Sequence, residues 1–440
     1  MIGLAPVLGL SWRSWGRQTP RRPNILLVIA DDLGKDACAG YPGYGVDKPN
    51  MPTVQALADE GITYTNFITN PLCSPTRATM LTGRYSCRTG VQLPVSERAP
   101  SGGIPRTEVS LQRYITENAP GPRAQAVIGK WHLSDTSNGG NDNPGVMGIP
   151  HFHGTIAPLH AGYFRYPQVT DGVESIGRGY NTTTLTTSAI SWIGQQDQPW
   201  FLWLAYNAPH SPLHEPPPRL HTRQGLRGPA ADTRTNPLPF YLAMIEAMDT
   251  EIGRLLNSLS QEERENTIVV FLGDNGTPRN VIQEPYSPWQ AKGTLYQGGI
   301  NCPLIVAGKS VARRGDTDGM LLNSTDLFAT IAELTGAELP SYEDSRSFAG
   351  SFAEPAVPVR EHAFAEVAMV DQATARPVRS RAGWSIQNER YKLIRYRDGA
   401  EELYDLREDP YEQNGFQAPL SKDVDGEYRR LVAKAAEVMG

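Results

Sequence analysis

The chain has 440 residues, a formal net charge of −6, 39% hydrophobic and 20% charged residues, enough for one large domain and a smaller one, or two to three average ones. The acidic balance excludes a phosphate-tracking nucleic-acid binder, because the one basic run, from Arg13 to Arg22, is short and reads as an arm ahead of the first domain. No stretch is apolar and long enough to span a bilayer.

At the N-terminus, Met1–Leu10 is apolar but broken by Pro6, with neither a basic leader nor an Ala-x-Ala cleavage site. It is a poor signal peptide as written, and residues 1–21 are expected to be an arm or the remnant of a leader. Strands are expected at Asn24–Ala30, Ala126–Gly129, Trp200–Ala205, Thr267–Leu272 and Pro303–Val306. Each is short and apolar on both faces, as in sheets buried between helix layers. Helices are expected between them, at Thr53–Asp59, Leu111–Glu117, Thr184–Ile193, Leu238–Leu256 and Ser324–Leu334, the last closed by Gly336. Leu238–Leu256 is the clearest, with one apolar stripe from Leu238 through Ile245 and Ile252 to Leu256. The alternation predicts an α/β domain over residues 22–340, a mostly parallel sheet sandwiched by helices. Past Leu339 the pattern changes to strands at Ala382–Gln387, Tyr391–Tyr396 and Glu402–Tyr404, then a helix at Tyr428–Val438. That predicts a smaller C-terminal α+β subdomain, residues 341–440, containing an antiparallel sheet. Cys38, Cys73, Cys87 and Cys302 are too few for a disulfide framework at this size.

The first strand runs into Asp31-Asp32 and the fourth into Gly273-Asp274-Asn275-Gly276. In parallel sheets ligands bind beyond the carboxyl ends of strands. Two such ends side by side offer oxygen donors without nitrogen or sulfur, which suits a hard cation, calcium before magnesium; a cap and a simple Asp-Asn-Gly turn are the plain alternatives. In Cys73-Ser74-Pro75-Thr76-Arg77 the proline suits the first turn of a helix, placing Cys73 just before a helix N-terminus that favours an anion. Arg77 lies about one turn on and reaches back to the same point. By itself Cys73 reads either as a low-pKa thiolate or as a buried small residue.

The Cys-x-Pro-x-Arg core, extended by Leu81-Thr82-Gly83-Arg84, resembles the signature of the type I sulfatases, which share the alkaline-phosphatase-like fold. The resemblance continues through Pro23–Asp32, Gly129-Lys130-Trp131-His132-Leu133, Asn207-Ala208-Pro209-His210, Gly273–Gly276 and Lys292–Gly299. It ends with Tyr391-Lys392-Leu393-Ile394 and Glu402-Leu403-Tyr404-Asp405. It implies oxidation of Cys73 to formylglycine by a separate maturation enzyme. It also implies calcium held by Asp31, Asp32, Asp274, Asn275 and modified Cys73, magnesium being the less favoured ion. Arg77, Lys130, His132, His210 and Lys292 would surround the nucleophile and the sulfate. His210 or Lys292 would protonate the leaving oxygen, and His132 would take a proton from residue 73 when sulfate is expelled. Gln297 and Asn301 depart from the family pattern, where an acid and an arginine are common, and are expected in loop packing or at the substrate rim.

The implied activity is hydrolysis of a sulfate monoester, of a sulfated carbohydrate or an aryl alcohol. A phosphonate or phosphate ester hydrolase of the same superfamily, an inactive carbohydrate-binding relative and a Cys-His acyl hydrolase are the alternatives. Asn275 and the intact cysteine and metal ligands favour sulfate. Residues 150–165, with His151, His153, His160, Tyr163 and Arg165, could contact a sugar or aryl group or be plain surface; His151-x-His153 as a transition-metal pair is the lesser reading. The resemblance implies a periplasmic or secreted protein, with a cytoplasmic one as the alternative.

Overall fold

Asn24–Ala30, here β1, buries all seven of its residues because it lies inside a ten-stranded sheet covered on both faces. The computed structural model describes residues 22–97, 101–226, 232–339, 344–368 and 382–440. The expected arm over residues 1–21 and the expected subdomain boundary at 340/341 fall outside the described residues.

In chain order the strands of the large sheet are β1, β2 (Ile62–Ile68), β3 (Ala124–Lys130), β4 (Phe152–Thr155), β5 (Arg165–Thr170), β6 (Val173–Arg178), β7 (Trp200–Ala205), β8 (Thr267–Gly273), β9 (Asn301–Gly308) and β10 (Asp316–Asn323). Their spatial order is β10-β2-β9-β8-β1-β7-β3-β4-β5-β6. The central run β8-β1-β7-β3-β4 is parallel, as the alternation of strands and helices predicts. The strand expected at Pro303–Val306 is β9, which runs antiparallel to both neighbours, β8 and β2. Composition carries no direction, and only the topology sets it. Strand β2 has polar residues among its apolar ones, and β10 begins half-exposed. The β5–β6 hairpin is largely solvated, so none of these shows the apolar run that marks a buried strand.

Alternate side chains of β1 feed two cores. Ile25, Leu27 and Ile29 pack on the face covered by helices that include Met80, Leu111 and Phe328; Leu26, Val28 and Ala30 pack on the face covered by helices that include Leu57, Leu185 and Ile245. The longer helices on the faces of the large sheet are α1 (Pro52–Glu60), α2 (Cys73–Thr82), α3 (Leu111–Asn118), α4 (Asn181–Ile193), α5 (Leu238–Ser258) and α6 (Asp326–Thr335). Of these, α1, α4 and α5 share one face, and α2, α3 and α6 the other.

A second sheet, β11 (Ala363–Val367), β12 (Gly383–Gln387), β13 (Tyr391–Tyr396) and β14 (Glu401–Asp405), is antiparallel throughout. Helix α7 (Lys422–Met439) lays Leu431 and Ala435 in one cluster with Ile386 and Leu393. Ala365 and Ile394 instead cluster with Leu295 and Ile300, which ties this sheet to the segment following Lys292. Helix α7 starts six residues before the expected Tyr428, because Ser421 accepts a hydrogen bond from Val424 N and caps a polar first turn. Among the described residues no helix is long and apolar enough to cross a membrane.

Candidate active site

The register of β1 and β8 pairs Ala30 with Gly273, so Asp31, Asp32, Asp274 and Asn275 leave the sheet side by side at its carboxyl edge. All four are essentially buried. Asp32 adopts φ 71, a conformation uncommon outside glycine, and two contacts hold it there. Its N–H donates to Asp274 Oδ1 at 3.0 Å, and its carbonyl accepts from the Tyr241 hydroxyl at 2.7 Å. Asn275 Nδ2 donates to Asp32 Oδ1 at 2.8 Å. That leaves Asn275 Oδ1 buried with no hydrogen bond, and Asp31 Oδ1 is in the same condition. Both oxygens belong to the same buried centre, where a bound cation would satisfy them.

Three cations interlock with these carboxylates. Lys130, the last residue of β3, donates to Asp31 Oδ2 at 2.5 Å. Lys292 donates to Asp32 Oδ1. Arg77 donates through Nε and Nη2 to Asp274 Oδ2, at 3.1 and 2.7 Å, and through Nη1 to the Lys130 carbonyl at 2.8 Å. Burial opposes ionisation of Asp31, but Lys130, His210 and Arg77 outweigh it and hold the carboxyl below its ordinary value. Asp32 is likewise held low, against burial, by Lys292 and His210. Asp274 goes the other way: burial and the neighbouring Asp31 push it up more than Arg77 and Lys130 pull it down.

Cys73 is the first residue of α2, one position further in than the sequence predicts, with extended Leu72 as the cap. Leu72 supplies no side-chain cap, so first-turn N–H groups remain available to an anion. Cys73 Sγ lies 3.2 Å from His132 Nδ1, and His132 Nε2 faces the Val95 carbonyl at 3.0 Å. A carbonyl only accepts, so Nε2 carries the proton and Nδ1 is the acceptor. Val95 N in turn donates to Ser74 Oγ at 3.0 Å, so the residue after Cys73 anchors the carbonyl that orients His132. Burial, with Lys130 and Arg77 nearby, holds His132 well below its ordinary pKa. Burial pushes the Cys73 thiol up in spite of Lys130 and Lys292, which weighs against a low-pKa thiolate.

His210 Nε2 stands 3.9 Å from Asp32 Oδ2, while Nδ1 faces the Ser211 carbonyl at 2.7 Å. Asp31, Asp32 and His210 bring ligand atoms within 4.8 Å of one another, a grouping able to hold a metal ion. Burial lowers the His210 pKa although Asp32 and Asp31 draw it upward. Sequence reasoning missed its support. The Tyr163 hydroxyl lies 2.6 Å from both the Asn207 and His210 carbonyls, and Thr155 Oγ1 donates to Asn207 Oδ1 at 3.3 Å. Phe164, 49% exposed, packs on Tyr180 and His214 with centroids 5.4 and 5.7 Å away. The aromatic content of residues 150–165 was the available signal.

The structure therefore gathers Asp31, Asp32, Cys73, Arg77, Lys130, His132, His210, Asp274, Asn275 and Lys292 into one centre. It does not bring His151 and His153 there. Residue 152 pairs with Val127 near the start of β4, whereas Thr155 pairs with Lys130. His151 Nδ1 meets Asp171 at 2.9 Å and His153 Nδ1 meets Thr170 Oγ1 at 2.8 Å. Gln297 and Asn301 belong to packing rather than to the rim. Both are buried, Asn301 Nδ2 donates to Gln297 Oε1 at 2.7 Å, and Asn301 Oδ1 accepts from Lys35 at 2.5 Å.

Comparison with known proteins adds an independent finding. A family profile described as Sulfatase matches residues 23–337, and one described as N-sulphoglucosamine sulphohydrolase, C-terminal, matches residues 287–436. An uncharacterized sulfatase of Escherichia coli, YdeN, is 29% identical over 73% of this chain, which spans only 64% of that relative's length. An arylsulfatase of Klebsiella aerogenes is 26% identical over 72% of this chain and 87% of its own. Among solved structures, that of BT4656 with its substrate D-glucosamine-2-N,6-O-disulfate superposes with TM-score 0.74 at 20% identity, covering 95% of this chain and 98% of that one.

Proposed function

The chain belongs to the sulfatase family, and from that premise we propose that it hydrolyses sulfate monoesters with formylglycine formed from Cys73 and a calcium ion. The observation that carries this reading is the pair of orphaned oxygens, Asp31 Oδ1 and Asn275 Oδ1, beside Asp32 and Asp274 and next to the start of α2. An all-oxygen set of three carboxylates and one amide suits calcium ahead of magnesium, and not zinc. Calcium would neutralise charge on the ester, and formylglycine would supply an oxygen nucleophile at position 73.

The chain's own residues divide the remaining work. Asp31, Asp32, Asp274 and Asn275 would hold the cation. Their three negative charges are matched by Arg77, Lys130 and Lys292, so a divalent ion would leave the centre net positive, as an anionic ester requires. Arg77 and the two lysines orient the sulfate oxygens. His132 Nδ1, unprotonated and aimed at position 73, accepts a proton there. Lys292, kept protonated by Asp32, hands a proton to the leaving oxygen, or His210 does so from Nε2 once its ring is doubly protonated, since the neutral ring holds its proton on Nδ1 against the Ser211 carbonyl.

The substrate is proposed to be a sulfated saccharide, supported by the exposed aromatic face of Phe164 beside the segment that carries His210 and by the saccharide sulfate bound by one structural neighbour. The test is hydrolysis of 4-nitrophenyl sulfate, phosphate and acetate by protein co-produced with a formylglycine-generating enzyme. Sulfate turnover with calcium is the expected result. A preference for the phosphate or the acetate would transfer the assignment to another ester class.

A further inference from the structure

Between Asn275 and Lys292 the chain makes a loop whose neck belongs to the centre just described: Lys292 N donates to the Thr277 carbonyl at 3.0 Å. One side of the loop is pinned. Val281, Gln283 and Tyr286 are buried, and Gln283 N donates to Asp36 Oδ2 at 2.9 Å. The other side carries Arg279 and Trp289, both exposed, with the guanidinium carbon 3.8 Å from the indole centroid. Trp289 is 48% exposed, and Arg279 makes no ion pair with any described residue. Arg279 is two residues from Thr277 and Trp289 three from Lys292, so their Cα atoms lie within about 7 and 11 Å of the neck.

A cation–π contact at an exposed site contributes only about 0.5–1 kcal/mol to stability. With its carbon 3.8 Å from the indole centroid and no ion pair to a described residue, the exposed guanidinium keeps its planar fork available for two-pronged binding of a carboxylate or sulfate. Tryptophan and arginine are also the residue types on which binding energy concentrates. We propose that Arg279 and Trp289 form a second anion subsite, which takes a carboxylate or further sulfate carried by the saccharide beyond the ester being cleaved. This rests on the sulfatase reading and narrows its substrate to acidic saccharides with at least two anionic groups.

The test uses the calcium-loaded enzyme with 4-nitrophenyl sulfate as reporter and three competitors: persulfated maltotetraose, tetragalacturonate and neutral maltotetraose. The expected result is inhibition by one or both acidic saccharides, with the inhibition constant raised about tenfold in Arg279→Gln and in Trp289→Ala. Arg279→Lys, which keeps the charge but loses the planar fork, should fall between. Constants for both acidic competitors that are unchanged in both variants, or neutral maltotetraose as effective as the acids, would overturn the subsite. If enzyme shown to carry formylglycine at position 73 does not turn the reporter over at all, the sulfatase reading fails. Calorimetric binding of the same competitors to native protein and Arg279→Gln then judges the subsite independently.

Discussion

Cys73 Sγ and His132 Nδ1 face each other across 3.2 Å, and the Val95 carbonyl fixes which nitrogen of that ring is bare. His210, by contrast, sits against Asp32 with its other nitrogen turned to Ser211. The bare nitrogen of His132 thus faces position 73 and that of His210 faces Asp32, and the proposed division of labour has His210 acting in its doubly protonated form. His132→Ala is expected to slow all sulfate esters similarly. His210→Ala is expected to be most damaging, 10²-fold or more, for poor leaving groups, and mild for activated aryl sulfates that depart unaided. Rates over a leaving-group series for both variants check this; the same slope in each would reject the division of labour.

Without the proposed cation the orphaned oxygens would stay unsatisfied and Asp274 would lie beside Asp31 uncompensated by a metal charge. Treatment with a chelator should abolish activity and lower the melting temperature by several degrees, because a ligand present at 100 times its dissociation constant stabilises by about 2.7 kcal/mol. Calcium should restore both more fully than magnesium. Differential scanning calorimetry at fixed ligand concentrations is the measurement, and Asn275→Ala should blunt the calcium response.

Lys35 is buried, donating to the Thr65 carbonyl and Asn301 Oδ1, and burial lowers its pKa to about 7. Between pH 7 and about 10.4 the unfolded chain holds this proton and the folded chain does not. The native state therefore gains stability from this group as pH rises through that window, and bears a penalty below it. Denaturant titrations of the native protein and Lys35→Met should show native stability rising relative to the variant from pH 7 to 9.5. A pH-independent difference would contradict the assignment.

Lys392 Nζ and Glu412 Oε1 lie 2.5 Å apart with no exposure of either side chain, and Glu412 Oε2 also accepts from Gln297 N, in the segment that follows Lys292. Lys392→Met strands a buried carboxylate and should cost about 3–5 kcal/mol. Adding Glu412→Gln should recover much of that loss, because the stranded charge is gone. Chemical denaturation of the two variants reads the difference; equal losses in both would show that the charge is not the cause.

The residues that meet in the centre were legible because each sits in a short contiguous motif at a strand end or helix start, where chemistry and spacing coincide. Asp31–Asp32 follow an unbroken apolar strand, and Pro75 marks the start of α2. The supports were not legible, since they come from residues with ordinary roles elsewhere. The Ser74–Val95 bond that orients His132, and the Tyr241 hydroxyl that holds Asp32, span 21 and 209 positions of chain. The direction of β9 was hidden for another reason: an apolar strand between two others reads the same either way. The exposed β5–β6 hairpin gave no apolar signal at all. Gln297 and Asn301 left packing and rim equally open from the sequence, and only their link to buried Lys35 decides for packing.

The central claim is tested most directly at position 73. Preparations made with and without a formylglycine-generating enzyme can be compared by peptide mass analysis of the segment containing Cys73, alongside their turnover of 4-nitrophenyl sulfate. The account predicts that activity scales with the fraction of residue 73 that has lost its sulfur and gained an aldehyde, and vanishes where the thiol is intact. Full activity in protein whose Cys73 thiol is unmodified would contradict it.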